Sequence, residues 1–396
     1  MSATVARIGD IAEQVRGVTY SSDEVSSQPK PGLLPVLRAG NITDSGLVFE
    51  GLVFVPANRV GPHQRVRRND VVIAVSSGSL DVVGKAARAT ADFEGGFGAF
   101  CKVLRPKASV EPSYFAHFFK TPEYRRRVSA LAAGININNL RNEHLDQLQM
   151  RLPSLREQAR VAAVLDRAEA LRAKRRASLA LLDTLPQSIF LEMFGDPATN
   201  SKLWPVAQVA DCIESATYGT SEKAQDEGEF PVLRMNNVTS AGELDLTDIK
   251  FMNLPGRLHD RYLVRQGDLL FNRTNSRDLV GKTAIVREHA PMAYAGYLIR
   301  LRVHAGCDPE YLVAFLNSRY AKAKLRGMCK SIIGMANINA KEIQGMTLPV
   351  PPLEMQRKFA SRVRQVLGLK QVLVRSARGF DAVFMSLQQR AFRGEL

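Results

Sequence analysis

Residues 155–194 read LREQARVAAVLDRAEALRAKRRASLALLDTLPQSIFLEMF, a run without glycine and with one proline, Pro186, near its end. Ala, Leu, Arg and Glu are strong helix formers, and at 1.5 Å per residue a helix of this length extends roughly 60 Å. That exceeds the ordinary globular helix. The run also recurs. A shift of 198 residues (353 − 155) lays residues 353–392 on it, with Gln158 over Gln356, Ser188 over Ser386 and Phe194 over Phe392. Steps of three and four from Val161 meet Val164, Ala168, Leu171, Arg175, Ser178, Leu182, Leu185 and Ile189; from Phe359 they meet Arg362, Val366, Leu369, Leu373, Ser376, Phe380, Val383 and Leu387, so that seven of nine positions are apolar in each. Such sustained 3-4 spacing predicts a coiled coil. Within one chain an antiparallel pair is expected, because the intervening globular segment returns the chain from the far end of the first helix.

The match continues upstream of each helix. Val36-Leu37-Arg38-Ala39-Gly40-Asn41 lies over Val232-Leu233-Arg234-Met235-Asn236-Asn237, a strand entering a polar turn. Asn69-Asp70-Val71-Val72-Ile73 lies over Gly267-Asp268-Leu269-Leu270-Phe271, and Val82-Val83-Gly84-Lys85 over Leu279-Val280-Gly281-Lys282. Val103-Leu104-Arg105 lies over Arg300-Leu301-Arg302 as a further strand. Glu111-Pro112 and Asp308-Pro309 each open a helix of apolar period 3.6. Asn136-Ile137-Asn138 and Asn337-Ile338-Asn339 then precede a Pro-rich entry to the long helix. The predicted order is a mixed α/β (α+β) domain over 1–152, a long helix over 153–196, a second such domain over 197–350 and a second helix over 351–396.

The net charge of +15 and pI near 9.8 point to a polyanionic partner. No run of apolar residues is long enough to span a bilayer, and MSATVARIGDIAEQV lacks the apolar core of a signal peptide. The four cysteines, Cys101, Cys212, Cys307 and Cys329, form no CxxC pair and read as reduced thiols of a cytoplasmic protein.

Catalytic and cofactor signatures are wanting. Gly281-Lys282-Thr283 ends like a P-loop, but Ser276 stands where the first glycine is required, and Lys282–Val286 is β-branched rather than helical. The six histidines show no ligand spacing, and no nucleophile elbow or dinucleotide fingerprint occurs. No cofactor and no metal are expected on this chain, and binding is favoured over catalysis.

The two halves differ most between the strand and the Gly-Lys. One carries Ala74-Val75-Ser76-Ser77-Gly78-Ser79-Leu80, the other Asn272-Arg273-Thr274-Asn275-Ser276-Arg277. Asn and Arg read adenine and guanine edges in pairs of hydrogen bonds, and Ser contacts bases or phosphate. A constant scaffold with a changing polar loop suits two modules that read different DNA sequences. The candidate DNA contacts are therefore Arg38, Asn41, Ser76, Ser77, Ser79 and Lys85 in the first half. In the second they are Arg234, Asn236, Asn237, Asn272, Arg273, Asn275, Arg277 and Lys282. Asn41 and Asn237 have the alternative use of capping their turns.

With these residues in hand the chain resembles the specificity (S) subunits of type I restriction–modification systems. The features that carry the resemblance are the duplication, Val-Leu-Arg-x-x-Asn, Gly-Asp-Leu-Leu-Phe with a later Gly-Lys, Asn-Ile-Asn, and Leu-Pro-x-Pro-Pro-Leu-Glu-x-Gln at 348–356. Asn69 in place of Gly267 and Ser154 in place of Pro352 are departures in the first half. The resemblance implies two target-recognition domains, each reading half of an asymmetric bipartite site in double-stranded DNA, separated by an antiparallel coiled coil. It also implies a non-catalytic subunit. Its partners would be two adenine methyltransferase (M) subunits and motor-nuclease (R) subunits, with S-adenosylmethionine, ATP and Mg carried by those partners. Rival readings are a stand-alone DNA methyltransferase or nuclease, and a non-specific architectural DNA binder.

Overall fold

The computed structural model of the chain describes residues 4–132, 138–276, 279–288, 290–332 and 335–396. The chain divides into two compact units. Unit 1 comprises residues 1–176 together with 375–396, and unit 2 comprises residues 177–374. Two long helices, Leu155–Phe194 and Leu353–Arg393, pass from one unit into the other.

In unit 1 an antiparallel sheet has the order Ala12–Arg16, Cys101–Pro106, Val71–Ala74, Ala86–Arg88. A second, three-stranded sheet orders Gly96–Phe97, Leu33–Leu37 and Val53–Pro56. Unit 2 repeats the first sheet as Ile213–Tyr218, Leu298–Val303, Leu269–Asn272, Thr283–Ile285. Its second sheet orders Lys250–Met252, Phe230–Leu233, Met292–Tyr294 and Leu263–Val264. The fold class is mixed α/β in both units. The P-loop lookalike is a turn, with Gly281 at φ +79°, leading into the strand Thr283–Ile285 rather than a helix.

Matched residues do matched work. Asp70 is buried and accepts two bonds from Arg105 at 2.9 Å, while Asp268 accepts two from Arg302 at 3.0 Å. Each aspartate also accepts the backbone N–H three residues earlier, of Arg67 and Arg265, at 2.8 Å. The residue before each aspartate is left-handed, Asn69 at φ 74° and Gly267 at φ 90°. Asn is among the side chains that best tolerate this conformation. The departure Asn69 therefore keeps the turn.

The long helices are tied in by glutamine. Gln158 is buried, accepts from the N–H of Glu111 at 2.8 Å and donates to the carbonyl of Pro153 at 2.8 Å. Gln356 does the same with Asp308 at 2.9 Å and Pro351 at 2.8 Å. Each glutamine thus joins the start of a long helix to the start of the short helix that packs beneath it, Pro112–Phe118 or Pro309–Leu316.

Within each unit the long helices run antiparallel. In unit 1, Arg160 donates to the carbonyl of Leu396 at 2.6 Å, Arg172 pairs with Asp381 at 2.6 Å and Arg175 lies 4.9 Å over the Phe380 ring. In unit 2, Asp183 pairs with Lys370 at 2.6 Å and Glu192 with Arg362 at 3.1 Å. Rising numbers on one helix meet falling numbers on the other. Phe384 and Ala391 enter the core of unit 1 beside Val161, Ala162 and Leu165; Phe190 and Phe194 pack on Phe359 and Tyr311 in unit 2.

The seam read from 3-4 spacing needs correction. Val164, Leu171 and Leu185, and on the second helix Leu369, Phe380 and Val383, are exposed. Near their ends both helices also pack on the α/β layer, so the buried stripe turns toward Ala162, Leu165, Ala360 and Val363. A pairing face alone would have kept the 3.5-residue period.

Candidate nucleic-acid interface

In both units the polar loop that differs between the halves leaves the end of an inner strand and becomes a short ribbon. Ser76–Ser77 pairs antiparallel with Asn138–Asn139, and Thr274–Asn275 pairs with Met335–Asn337. The partner strand of the variable loop thus takes one residue from each Asn-x-Asn closure, Asn138 and Asn337, and matches Asn139 rather than Asn136 with Asn337, while Asn136 and Ile137 lie outside the described residues. The ribbon is anchored at its root, where the N–H of Leu140 donates to the carbonyl of Val75 at 2.8 Å and that of Ile338 to Arg273 at 2.9 Å.

In unit 1, Arg38 is exposed and donates to the carbonyl of Gly51 at 3.1 Å. Asn41 is buried; it accepts from the N–H of Arg38 at 2.8 Å and donates to the carbonyls of Val48 and Glu50 at 2.9 Å. Its amide is fully used in shaping the turn. Ser76 and Ser77 are half-buried, Ser77 accepting from the N–H of Ser79 at 3.2 Å, and Ser79 is exposed. Arg38, Gly40, Asn41, Tyr20 and Phe100 line an open groove of about 730 Å³. Lys85 lies in a different hollow of about 310 Å³, with Lys120, Arg125, Arg172 and Arg176.

In unit 2, Arg234 ion-pairs with Asp248 at 3.0 Å, and Asn236, exposed, donates to the same carboxylate at 3.0 Å. Asn237 repeats Asn41, accepting from Arg234 at 2.9 Å and donating to Asp245 and Asp248 carbonyls at 2.7 and 2.9 Å. Arg273 stacks 4.9 Å over the Tyr218 ring, and Asn275 reaches Met235 at 3.9 Å. The last contact joins the Arg234–Asn237 turn to the variable loop, so these residues share one surface. Asn272 does not join it. It is fully buried, and neither its amide oxygen nor its nitrogen has a partner among the described residues. Arg277 lies outside the described residues. Lys282 is half-buried, and burial holds its pKa below the usual lysine value. Beside it, burial and the Lys282 charge bring Lys322 down to about 7; the Lys322 ammonium donates to the carbonyl of Gly281.

The residues that sequence reasoning left out are aromatic. Tyr20, Tyr218, Phe100 and Tyr297 stand beside the arginines of these loops, and the signal for them lies in the repeat, with Thr19-Tyr20 recurring as Thr217-Tyr218 and Phe100 as Tyr297.

Among the described residues one group could offer metal ligands: His117, Asp166 and Glu169 in unit 1, with ligand atoms within 4.8 Å of one another. Each of the three already has a polar partner. His117 Nε2 lies 2.8 Å from Asp166, whose two oxygens also accept from Ser113 at 2.6 and 2.7 Å, and Lys120 pairs with Glu169 at 2.5 Å. The cluster fastens the short helix to the long one. No helix among the described residues is long and apolar enough to cross a membrane.

Comparison with known proteins agrees with this geometry. Residues 3–180 match the family described as type I restriction modification DNA specificity domain. The chain is 33% identical over 415 aligned residues to the specificity subunit of the type I restriction enzyme EcoKI of Escherichia coli (strain K12), with 99% of this chain and 89% of that protein covered. It is 30% identical over 413 residues to the StySPI specificity subunit of Salmonella potsdam, covering 99% and 88%. Among solved structures, the S subunit of a type I system from M. genitalium superposes with a TM-score of 0.54 at 14% identity, covering 99% of this chain and 96% of that one. A chain from a type I R-M complex superposes at 0.59 with 18% identity, covering 100% and 98%.

Proposed function

The chain belongs to the specificity subunits of type I restriction–modification enzymes, and from that premise we propose that it is the DNA-reading, non-catalytic subunit of such a complex. Each unit reads one half of an asymmetric bipartite target. The observation that carries this reading is the paired ribbon. Two scaffolds with the same sheet order, the same buried Asp–Arg pair and the same glutamine tie present different polar residues at one place, Ser76 and Ser77 in one and Arg273 and Asn275 in the other. A constant frame with a changing edge is what reading two different sequences requires.

The long helices set the distance between half-sites and carry the methyltransferase subunits. Apolar side chains left in water along them support docking: Leu171, Val383 and Met385 in unit 1, and Leu181, Leu369 and Val372 in unit 2. S-adenosylmethionine, ATP and Mg belong to the M and R subunits, and the complex works in the cytoplasm. Arg38, Ser79 and Arg273 contribute base or phosphate contacts, and Lys85 and Lys282 sequence-independent affinity.

The test is co-expression with adenine methyltransferase subunits followed by mapping of methylated adenines across a genome. One asymmetric bipartite motif with a fixed spacer is expected, and no methylation by the chain alone. Methylation by the isolated chain would mean a stand-alone methyltransferase, and binding without sequence preference would mean an architectural protein.

A further inference from the structure

Two aromatic rings stand in water at the same place of the repeat. Phe97-Gly98-Ala99-Phe100 and Tyr294-Ala295-Gly296-Tyr297 share the order aromatic, small, small, aromatic. The first ring of each is fully buried, while Phe100 is 69% and Tyr297 52% exposed. Neither exposed ring stacks on another, and the Tyr297 hydroxyl has no hydrogen-bond partner among the described residues. Among the described residues neither ring belongs to a core cluster.

Their positions are nonetheless fixed. The N–H of Cys101 donates to the carbonyl of Gly98 at 2.8 Å, and that of Leu298 to Ala295 at 2.9 Å, closing one turn in both units. The residue just past the strands Ala12–Arg16 and Ile213–Tyr218 lies so close to that turn that a side chain on Gly17 would lie 2.1 Å from the Gly98 carbonyl, and one on Gly219 2.3 Å from that of Ala295. The carbonyl of Phe100 accepts from Val75 at 2.9 Å and Ser76 at 3.2 Å, and that of Tyr297 from Arg273 at 3.0 Å. Each ring is therefore clamped, through its own backbone, to the first residues of the variable loop. Arg38 lines the groove beside Phe100, and Arg273, whose backbone N–H bonds the Tyr297 carbonyl, carries its guanidinium over the Tyr218 ring.

We propose that Phe100 and Tyr297 are base-contacting residues, each giving the apolar part of readout in the half-site that its unit recognises. The inference rests on the DNA-reading function proposed above and adds its specificity-determining residues. Duplex DNA fits such a surface because its phosphates match the arginines while its bases offer apolar faces and thymine methyl groups. An aromatic side chain on a fixed backbone has only two torsions to order and makes that contact with little loss of freedom.

The experiment uses the full chain assembled with its methyltransferase subunits, on duplexes that carry the mapped target, either half scrambled, or both halves scrambled. Dissociation constants are measured at two salt concentrations. Phe100→Ala should reduce discrimination about tenfold at the half read by unit 1, a loss of the size of one mismatched pair. It should leave discrimination at the other half and binding to the fully scrambled duplex unchanged. Tyr297→Ala should do the converse, and Phe100→Tyr should retain discrimination. Equal weakening on every duplex with a shallower salt slope, or unchanged discrimination, overturns the proposal. A wild-type complex that does not distinguish mapped from scrambled DNA instead overturns the reading on which the proposal rests.

Discussion

At the scale of single residues, the repeat separates side chains that hold the frame from those that are free to vary. Asn69 and Gly267 occupy the same left-handed turn before a buried aspartate. Asn69→Gly should leave stability within about 1 kcal/mol of the wild type, whereas Asn69→Val forces a β-branched residue into that conformation and should cost about 1–2 kcal/mol. Denaturant midpoints of the two variants check the pair. Lys322 gives a pH signature. Its native pKa of about 7 lies below the usual lysine value, so between that pH and the unfolded value the native state binds fewer protons than the unfolded chain. Stability should therefore rise with pH across that window, as the penalty of a buried charge is relieved, and show no slope from this group below it. Lys322→Met should make the rise shallower, leaving the part due to Lys282, which denaturation at pH 7 and pH 9.5 would show. Identities were legible where the frame needed a particular chemistry, as at Gln158 and Gln356. Exposure was not legible. Asn272 resembles a base reader in sequence yet ends a fully buried strand, and Phe100 resembles core yet stands in water, because the pairing of distant strands decides both.

At the scale of elements, the two long helices were readable from composition and length, and the strands from turn chemistry and short apolar runs. The helix seam was only partly readable. Its 3-4 spacing is real, but near the helix ends the α/β layer competes for the apolar stripe, and Val164 and Leu369 are left outside. Antiparallel pairing inside each unit makes a direct prediction about length. Removing one heptad from each helix at facing positions shortens the rod by roughly 10 Å and should shorten the DNA spacer by about three base pairs, with both half-sites kept. Methylation mapping of the variant complex reads this. Changed half-sites with an unchanged spacer would refute the ruler role. A heptad removed from one helix alone should break the facing ion pairs Arg172–Asp381 and Asp183–Lys370 and lower the melting temperature.

At the scale of the whole molecule, a basic chain with two similar frames invites exchange of parts. Grafting residues 75–80 in place of 273–278 should rewrite the half-site read by unit 2 and leave the other half intact, as scored by the methylated motif. Uniform weakening on all DNA would instead place that loop against phosphate.

The division of the chain has a consequence for how the protein is made. Unit 1 is built from two separate stretches, 1–176 and 375–396, and Phe384, Ala391 and Phe392 pack against helices whose residues lie more than two hundred positions earlier, with the Phe392 ring 4.8 Å from Tyr114. Unit 2 is one uninterrupted stretch. On the ribosome the half that emerges first should wait for residues 375–396 to complete its core, while the half that emerges second has all of its own residues once residue 374 is clear. Nascent chains halted just past unit 2 should therefore resist protease over residues 177–374 while unit 1 is still cut, so that the unit made second matures before the unit begun first.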